Sequence, residues 1–146
     1  MTKWFETYRG VVNPWECDVV EHFTIAYYFD RFADATRNFF DLIGESDSLD
    51  AGVRPSRSQA TCQHELRAGT GFHMLTAVTG IDAGALQLGH QVVDSTTSKT
   101  VTWLTERRAL TRLRSPRPGR SSASAAFFSR IDTDNMNQFK PIGRAA

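Results

Sequence analysis

One helical pattern dominates the sequence and limits what the chain can fold into. From Thr24 to Ile43, apolar residues recur every three or four positions, which places them on one face of an α-helix about 30 Å long. This stripe comprises Ile25, Phe29, Phe32, Ala35 or Thr36, Phe39, and Leu42 or Ile43. Thr24 is the predicted N-cap residue, whose hydroxyl accepts from a free amide, and Gly44 suits a left-handed C′ position. A lone helix with one apolar face needs a sheet to cover it.

Five segments have the alternation and β-branched or aromatic content of strands. They are Trp4–Val12, Gln59–Arg67, Phe72–Thr79, Ala85–Asp94 and Lys99–Leu110. Short turns separate the last four strands, which is typical of an antiparallel meander, whereas residues 45–58 are predicted to form a loop. The order is therefore strand, long helix and four strands. It predicts an α+β hotdog fold, in which an antiparallel five-stranded sheet wraps around one long central helix.

The strands also predict which side chains face the helix. Phe72, Met74, Thr76 and Val78 share one face of their strand, and Leu86, Leu88, His90 and Val92 share one face of the next. After Arg112 the character of the sequence changes to an Arg-, Pro- and Ser-rich segment. We therefore predict a hotdog domain over residues 1–112, and a linker and C-terminal tail over residues 113–146.

The composition excludes several classes of function. A net charge of +1 over 146 residues gives no electrostatic reason to expect nucleic acid or a membrane surface as a partner. Two cysteines, Cys17 and Cys62, form no disulfide framework and no metal-binding motif, so we expect no metal. The N-terminus has no apolar stretch of the signal-peptide kind, and a reducing, cytoplasmic location is expected.

Two sequence stretches carry a resemblance to a known family. The run Glu16-Cys17-Asp18-Val19-Val20-Glu21-His22 leads into the helix, which contains Ala35-Thr36-Arg37-Asn38-Phe39-Phe40. Further on stands His64-Glu65-Leu66-Arg67-Ala68-Gly69. Over roughly residues 5–110, the chain resembles the 4-hydroxybenzoyl-CoA thioesterase-like branch of the hotdog superfamily. Many relatives have Gly-His-Val-Asn-Asn where this chain has Glu21-His22-Phe23-Thr24-Ile25, so the histidine matches but the glycine and both asparagines do not.

The resemblance implies that Asp18 is the catalytic acidic residue. A carboxylate beside a helix N-terminus suits thioester hydrolysis, because it attacks or activates water while free amides from Thr24 to Tyr28 stabilise the oxyanion. The alternative is that Asp18 only caps the turn before the helix. His22 is a candidate proton carrier or a packed entrance residue, and Glu65 is a candidate base or a solvated strand-end carboxylate.

The same resemblance suggests where the substrate binds. The candidate substrate-binding residues are Phe23, Thr24, Ile25, Tyr27, Tyr28 and Arg67. The aromatic residues would line an acyl pocket, with core packing as the alternative. Arg67 would meet the phosphates of CoA, with an ordinary surface arginine as the alternative.

The sequence thus predicts hydrolysis of an acyl-CoA or aroyl-CoA thioester to a free carboxylic acid and CoA. Alternatives are a hotdog acyl-thioester hydratase or dehydratase, and a non-catalytic acyl-CoA-binding protein. We expect no cofactor, since CoA is part of the substrate. Because an open sheet edge favours pairing with another chain, we also expect a homodimer or a dimer of dimers, with the cleft between subunits.

Overall fold

The computed structural model describes residues 2–46, 53–82 and 85–110. In chain order the elements are β1 (Phe5–Val11), a 3-10 turn (Pro14–Glu16), α1 (Ile25–Leu42), β2 (Val53–Cys62), β3 (Gly71–Asp82), β4 (Ala85–Asp94) and β5 (Thr100–Leu110). The predicted boundary at residue 112 and the predicted tail, residues 113–146, lie outside the described residues. No helix in the described ranges has both the length and the apolar character needed to cross a bilayer.

The helix begins and ends where the sequence predicts. Thr24 is the N-cap residue with extended backbone angles, and Gly44 follows the helix with a φ of 73°. The prediction that the Thr24 hydroxyl caps the helix is wrong, because that side chain makes no capping hydrogen bond. Instead, the backbone carbonyl of Thr24 accepts from the amides of Tyr27 and Tyr28 at 3.1 and 3.2 Å.

The buried face of α1 differs from the predicted stripe at its N-terminal end. The buried residues are Tyr28, Phe32, Ala35, Thr36, Phe39 and Phe40. Ile25 and Phe29 are instead 51% and 41% exposed. In the first turns, the face of α1 that contacts the sheet is therefore displaced by one residue, because Tyr28 is buried where the sequence predicts Phe29.

All five strands form one antiparallel sheet in the order β1-β3-β4-β5-β2. Strands β3, β4 and β5 form the predicted meander, and β4 has the predicted bounds. The prediction that β2 joins this meander is wrong, since β2 pairs with β5 at the far edge. Both β1 and β2 are therefore edge strands.

The bounds of β2 are also shifted from their predicted position. It covers Val53–Cys62 instead of Gln59–Arg67, so the predicted loop to Ser58 is too long. Pro55 obscures the strand pattern, but an edge strand tolerates proline because its outer side needs no donor. Residues 80–82, predicted as part of a turn, extend β3.

The helix packs against one face of the sheet, which confirms the predicted hotdog arrangement. Phe39 and Phe40 belong to a core cluster with Phe5, Leu86 and Leu88. A second cluster joins the first half of the helix to the other end of the sheet through Tyr28, Phe32, Phe72, Met74, Val92 and Leu104. The inward faces predicted for β3 and β4 are buried throughout.

A line of polar side chains crosses this core beneath the helix. The hydroxyls of Thr7 and Thr76 lie 2.8 Å apart, and Thr76 Oγ1 lies 2.8 Å from Nδ1 of His90. Thr36 of the helix lies 3.4 Å from the other ring nitrogen of His90. His90 is fully buried, so these contacts replace the hydrogen bonds that the ring would make to water.

The line continues through a buried ion pair on β5. Arg108 Nε donates to Glu106 Oε2 at 2.8 Å, and the same carboxylate oxygen lies 3.8 Å from Nε2 of His90. Arg108 also donates to the carbonyl of Val53 at 3.2 Å. We call the set Thr7, Thr76, His90, Glu106 and Arg108 the buried polar chain. It reaches from β1 to the first residue of β2 and so links all five strands.

Candidate functional site

The loop that leads into α1 is held by a buried carboxylate. Glu16 is 2% exposed, and its Oε1 accepts from the backbone and side-chain nitrogens of Asn13 at 3.1 and 2.7 Å. Its Oε2 accepts from Arg31 on α1, and its carbonyl accepts from the amide of Thr24 at 3.1 Å. This anchor is not among the predicted site residues, although Asn13-Pro14-Trp15-Glu16 has the spacing of a capping box.

Asp18 shapes the next part of the loop. Its Oδ1 accepts from the amides of Val20 and His22 at 3.0 and 3.1 Å, so the capping role considered for this residue is present. Both bonds fall on one oxygen, and Oδ2 has no hydrogen-bond partner among the described residues. The side chain is exposed. One carboxylate oxygen therefore fixes the loop while the other is accessible to a ligand.

Glu21 stands at the position where the family resemblance leads us to expect glycine. Its backbone has a conformation that glycine favours. Its φ is 62°, in the left-handed region that glycine adopts without steric cost. The turn is closed by the amide of Glu21, which donates to the carbonyl of Asp18 at 3.0 Å. The loop thus keeps a glycine-type turn without the glycine, at the expense of local strain.

The segment between β2 and β3 brings Glu65 to this loop. Because β2 and β3 lie at different positions in the sheet, residues 63–70 cross its end and pair with the loop. The amide of Phe23 donates to the carbonyl of Leu66 at 2.8 Å, and His22 forms a bridge with Arg67. As a result, Nδ1 of His22 lies 3.8 Å from Oε2 of Glu65.

We call Asp18, His22 and Glu65 the entrance cluster. The side chains of His22 and Glu65 are 30% and 53% exposed, and the distance between them is longer than a hydrogen bond. Arg67 lies 3.9 Å from Glu21, with both side chains largely exposed. The structure therefore brings the three predicted catalytic residues and Arg67 to one end of the sheet.

The helix N-terminus offers fewer free donors than predicted. The amide of Thr24 is taken by Glu16, and those of Tyr27 and Tyr28 are taken by Thr24. Of the five amides from Thr24 to Tyr28, those of Ile25 and Ala26 have no acceptor among the described residues. The predicted donor set from Thr24 to Tyr28 is therefore reduced to two adjacent amides, at the positive end of the helix dipole.

The predicted substrate-binding side chains differ in their exposure. Phe23 and Tyr28 are buried, with ring centroids 4.5 Å apart in an edge-on arrangement, so both contribute to the core. Tyr27 and Thr24 are half-buried, whereas Ile25 is exposed. Thr24, Ile25 and Tyr27, together with the exposed Arg67, are therefore accessible to a ligand without rearrangement.

Tyr28 has an unusual polar end. Its hydroxyl and that of Thr102 on β5 are both buried and lie near each other, but their geometry falls short of a hydrogen bond, and neither has another partner among the described residues. Burial raises the pKa of Tyr28 to about 12; the Thr102 hydroxyl opposes this rise, and the charges of Cys62 and Glu65 add to it. No sequence pattern marks Thr102, since a threonine on the inner face of a strand is usually a packing residue.

A groove of about 610 Å³ lies elsewhere, between β1 and the second half of α1. Residues 6–9, Asn38, Asp41 and Leu42 line it, and none of them is a predicted site residue. Within the described ranges, no group of three or more His, Cys, Asp and Glu side chains is arranged to hold a metal ion. The entrance cluster itself supplies two carboxylates and an imidazole, next to the free amides of the helix N-terminus.

The chain matches one family model and is similar to several solved structures that share its fold. The family model of the thioesterase-like superfamily matches residues 12–127. A search of the curated proteins finds no match.

Three solved structures share the fold. A DHNA-CoA thioesterase from Staphylococcus aureus has a TM-score of 0.73 at 10% identity, over 92% of this chain and 93% of that one. A thioesterase candidate from Pseudomonas putida KT2440 has a TM-score of 0.71 at 20% identity, over 99% and 96%. Another Staphylococcus aureus protein, solved in complex with CoA, has a TM-score of 0.66 at 16% identity, over 100% and 91%.

Proposed function

Because the chain belongs to the thioesterase-like superfamily, we propose that it hydrolyses an acyl-CoA or aroyl-CoA thioester to a free carboxylic acid and CoA. The observation that carries this proposal is the position of Asp18. Its carboxylate is fixed through one oxygen in the loop before α1 and has the other oxygen free. Two amides without acceptors follow at the start of the same helix.

The reaction needs a nucleophile or base and a site for negative charge. Oδ2 of Asp18 takes a proton from water or attacks the thioester carbon itself. The carbonyl oxygen, as it becomes negative, accepts from the amides of Ile25 and Ala26. The C–S bond then breaks, and the CoA sulfur leaves as a thiolate that takes up a proton. If Asp18 attacks directly, water then hydrolyses the mixed anhydride that it forms, which releases the free acid and restores the Asp18 carboxylate. His22, beside Glu65, is the proton carrier nearest to this step.

CoA as the carrier is supported by two of the similar structures. One is a thioesterase that acts on DHNA-CoA, and another was solved with CoA bound. In this chain Arg67 is exposed beside the entrance cluster, where its guanidinium suits a phosphate of the nucleotide. We place the reaction in the cytoplasm, which agrees with the two free thiols, Cys17 and Cys62.

We further propose that two copies of the chain pair through β2. The outer side of this edge strand is unpaired, and almost every residue of its length is exposed. The opposite edge is less open, because Asn38 of the helix donates to the carbonyl of Thr7 in β1 at 2.6 Å. Pairing through β2 extends the sheet and encloses the entrance cluster, which lies in the open in a single chain.

A screen of CoA esters tests the reaction. Saturated aliphatic, aromatic and 2-enoyl esters are each incubated with the protein, while released thiol and loss of the double bond are followed separately. We expect thiol release from at least one saturated or aromatic ester. Hydration of the enoyl ester without thiol release indicates a hydratase instead, and saturable binding without either reaction indicates a binding protein.

Sedimentation velocity tests the assembly. We expect a particle of at least twice the mass of one chain. Gln59 and Ala60 are neighbours on β2, so their amides point to opposite sides of the strand. Of Gln59→Pro and Ala60→Pro, one removes an amide that faces away from β5, and that variant should sediment as a folded monomer. A wild-type chain that sediments as a monomer at all concentrations contradicts the pairing.

A further inference from the structure

Glu21 keeps a strained backbone without a gain in stability that accounts for it. Its φ of 62° lies in the left-handed region, which is unfavourable for a residue with a Cβ atom and not for glycine. Its side chain is 78% exposed, so packing does not compensate for the strain. Backbone strain of this kind persists where it serves the function of a site. A role in ligand binding therefore explains this glutamate better than a role in the fold.

The side chain of Glu21 faces the guanidinium of Arg67. Oε2 of Glu21 lies 3.9 Å from Nη1 of Arg67, whose side chain is 65% exposed. The next residue, His22, forms a bridge with Arg67, so the two chain segments hold the opposite charges side by side. An exposed ion pair at this distance adds little to stability, because water screens both charges. The pair can therefore open for a ligand without loss to the fold.

The charges around this pair show what Glu21 competes with. Asp18, Glu21 and Glu65 each bring a carboxylate to this end of the sheet, whereas Arg67 brings a guanidinium. CoA carries a diphosphate and a 3′-phosphate, and a guanidinium forms paired hydrogen bonds with a phosphate. A phosphate that binds Arg67 takes the place of the Glu21 carboxylate, and the two anions repel each other at this distance. Glu21 and CoA therefore compete for the same cation.

Resting on the proposed hydrolysis of CoA esters, we infer that Glu21 competes with the phosphates of CoA for Arg67 and so promotes the release of the product. Substrate and product share the CoA part, so a phosphate contact at Arg67 strengthens the binding of both. Such uniform binding does not accelerate the chemical step, and a tightly held product delays the next turnover. A glycine at position 21 would relax the backbone but would leave Arg67 free to retain CoA.

Product inhibition measures this competition. The inhibition constant Ki of free CoA, together with KM and kcat for the best CoA ester, is measured at low ionic strength for wild type, Glu21→Gln and Glu21→Gly. Both variants remove the charge, whereas only the glycine variant also removes the backbone strain. We expect Ki and KM to fall together by roughly threefold to tenfold in both variants, the effect of one unit charge close to a phosphate in water. The value of kcat should not increase.

Ligands and variants that lack one of the charges act as matched controls. Pantetheine has the thiol arm of CoA without the phosphates, so its Ki should be the same for wild type and both Glu21 variants. With Arg67→Gln in the background, Glu21→Gln should have a much smaller effect on the Ki of CoA, because the shared cation is absent. Asp34→Asn removes an exposed carboxylate from the middle of α1, and should leave the Ki of CoA within about twofold of wild type.

Three results overturn the inference. They are an unchanged Ki of CoA in Glu21→Gln, a fall in Ki in Glu21→Gly alone, which assigns the effect to the backbone, and an equal fall in the Ki of pantetheine. If no ester releases thiol, the proposed hydrolysis fails separately. The dissociation constant of CoA, measured by calorimetry, then replaces Ki. A lower constant in both variants supports the inference, whereas an unchanged constant or the absence of CoA binding overturns it.

Discussion

The molecule contains two polar groupings that differ in almost every physical respect. The buried polar chain crosses the core, where His90 and Glu106 are 0% and 6% exposed and are bonded to neighbours on both sides. The entrance cluster lies at the surface, where His22 and Glu65 are 3.8 Å apart and Asp18 has one free oxygen. Each contains an imidazole and a carboxylate, so residue type alone does not separate them.

This contrast distinguishes the histidine–carboxylate pair that is suited to catalysis from the pair that supports the fold. A buried and fully bonded network holds elements in place, because any loss of a partner leaves a desolvated charge. An exposed and partly bonded cluster adds little to stability, but its unpaired hydrogen-bond donors and acceptors are accessible to a substrate. We therefore assign the buried polar chain to the integrity of the sheet, and we propose that the entrance cluster carries out the reaction.

The largest effect on stability is expected from Glu106→Gln. This change leaves Arg108 buried without its counter-charge, and should lower the free energy of unfolding by about 3 kcal/mol. Glu65→Gln is the matched control, since the same chemical change at a half-exposed carboxylate should alter it by about 0.5 kcal/mol or less. Urea unfolding measures both. Equal effects from the two variants contradict the distinction between the groupings.

The pH dependence of stability should show the same difference between the two groupings. Burial alone would raise the pKa of Glu106, but His90 and Arg108 outweigh it, and the pKa is lowered from 4.5. A carboxylate with a lowered folded-state pKa stabilises above its unfolded pKa, and that stability is lost as the pH falls through the folded value. Between pH 7 and the region below 4.5, wild type should lose more unfolding free energy than Glu106→Gln. Parallel pH profiles contradict this.

Glu16→Gln should have an intermediate effect, because Glu16 is buried like the first grouping but supports the second. Loss of its charge weakens the contact with Arg31, and we expect about 2 kcal/mol less stability. The turnover rate should fall as well, since the loop that carries Asp18 loses its anchor. Urea unfolding and thiol release measure the two effects. A stable variant with normal turnover contradicts the anchoring role.

How far the sequence predicts these features depends on whether their signal is local. The ends of α1 and the bounds of β4 follow from periodicity and turn residues that lie within the segments themselves. The sequence predicts β2 at the wrong position because this strand is exposed on both faces and contains Pro55, so it shows no alternation. Its pairing with β5 joins residues that are far apart in the sequence, so no local pattern predicts it.

The site shows the same limit. Asp18 and His22 are close in sequence, so the same short segment predicts both of them as site residues. The contact between His22 and Glu65 exists because residues 63–70 cross the end of the sheet, which follows from the strand order. The proximity of Tyr28 and Thr102 likewise depends on the packing of α1 against β5, which no local pattern predicts.

The smallest effect is expected at Glu21, on the edge of the entrance cluster. Glu21→Gly removes the strain of a left-handed backbone, whereas Glu21→Ala removes the same side chain and keeps the strain. The glycine variant should therefore be about 1 kcal/mol more stable than the alanine variant. Thermal unfolding of the two variants compares them. An alanine variant that is equally stable would show that the turn is not strained.

The most direct measurement of the assignment is the rate of thiol release by Asp18→Asn on the best CoA ester. Asparagine keeps an Oδ1 that can accept from the amides of Val20 and His22, so the loop and the melting temperature should be retained. Without the carboxylate, the rate should fall by a factor on the order of 100 or more. A folded Asp18→Asn protein that releases thiol at the wild-type rate would contradict the assignment of the entrance cluster to the reaction.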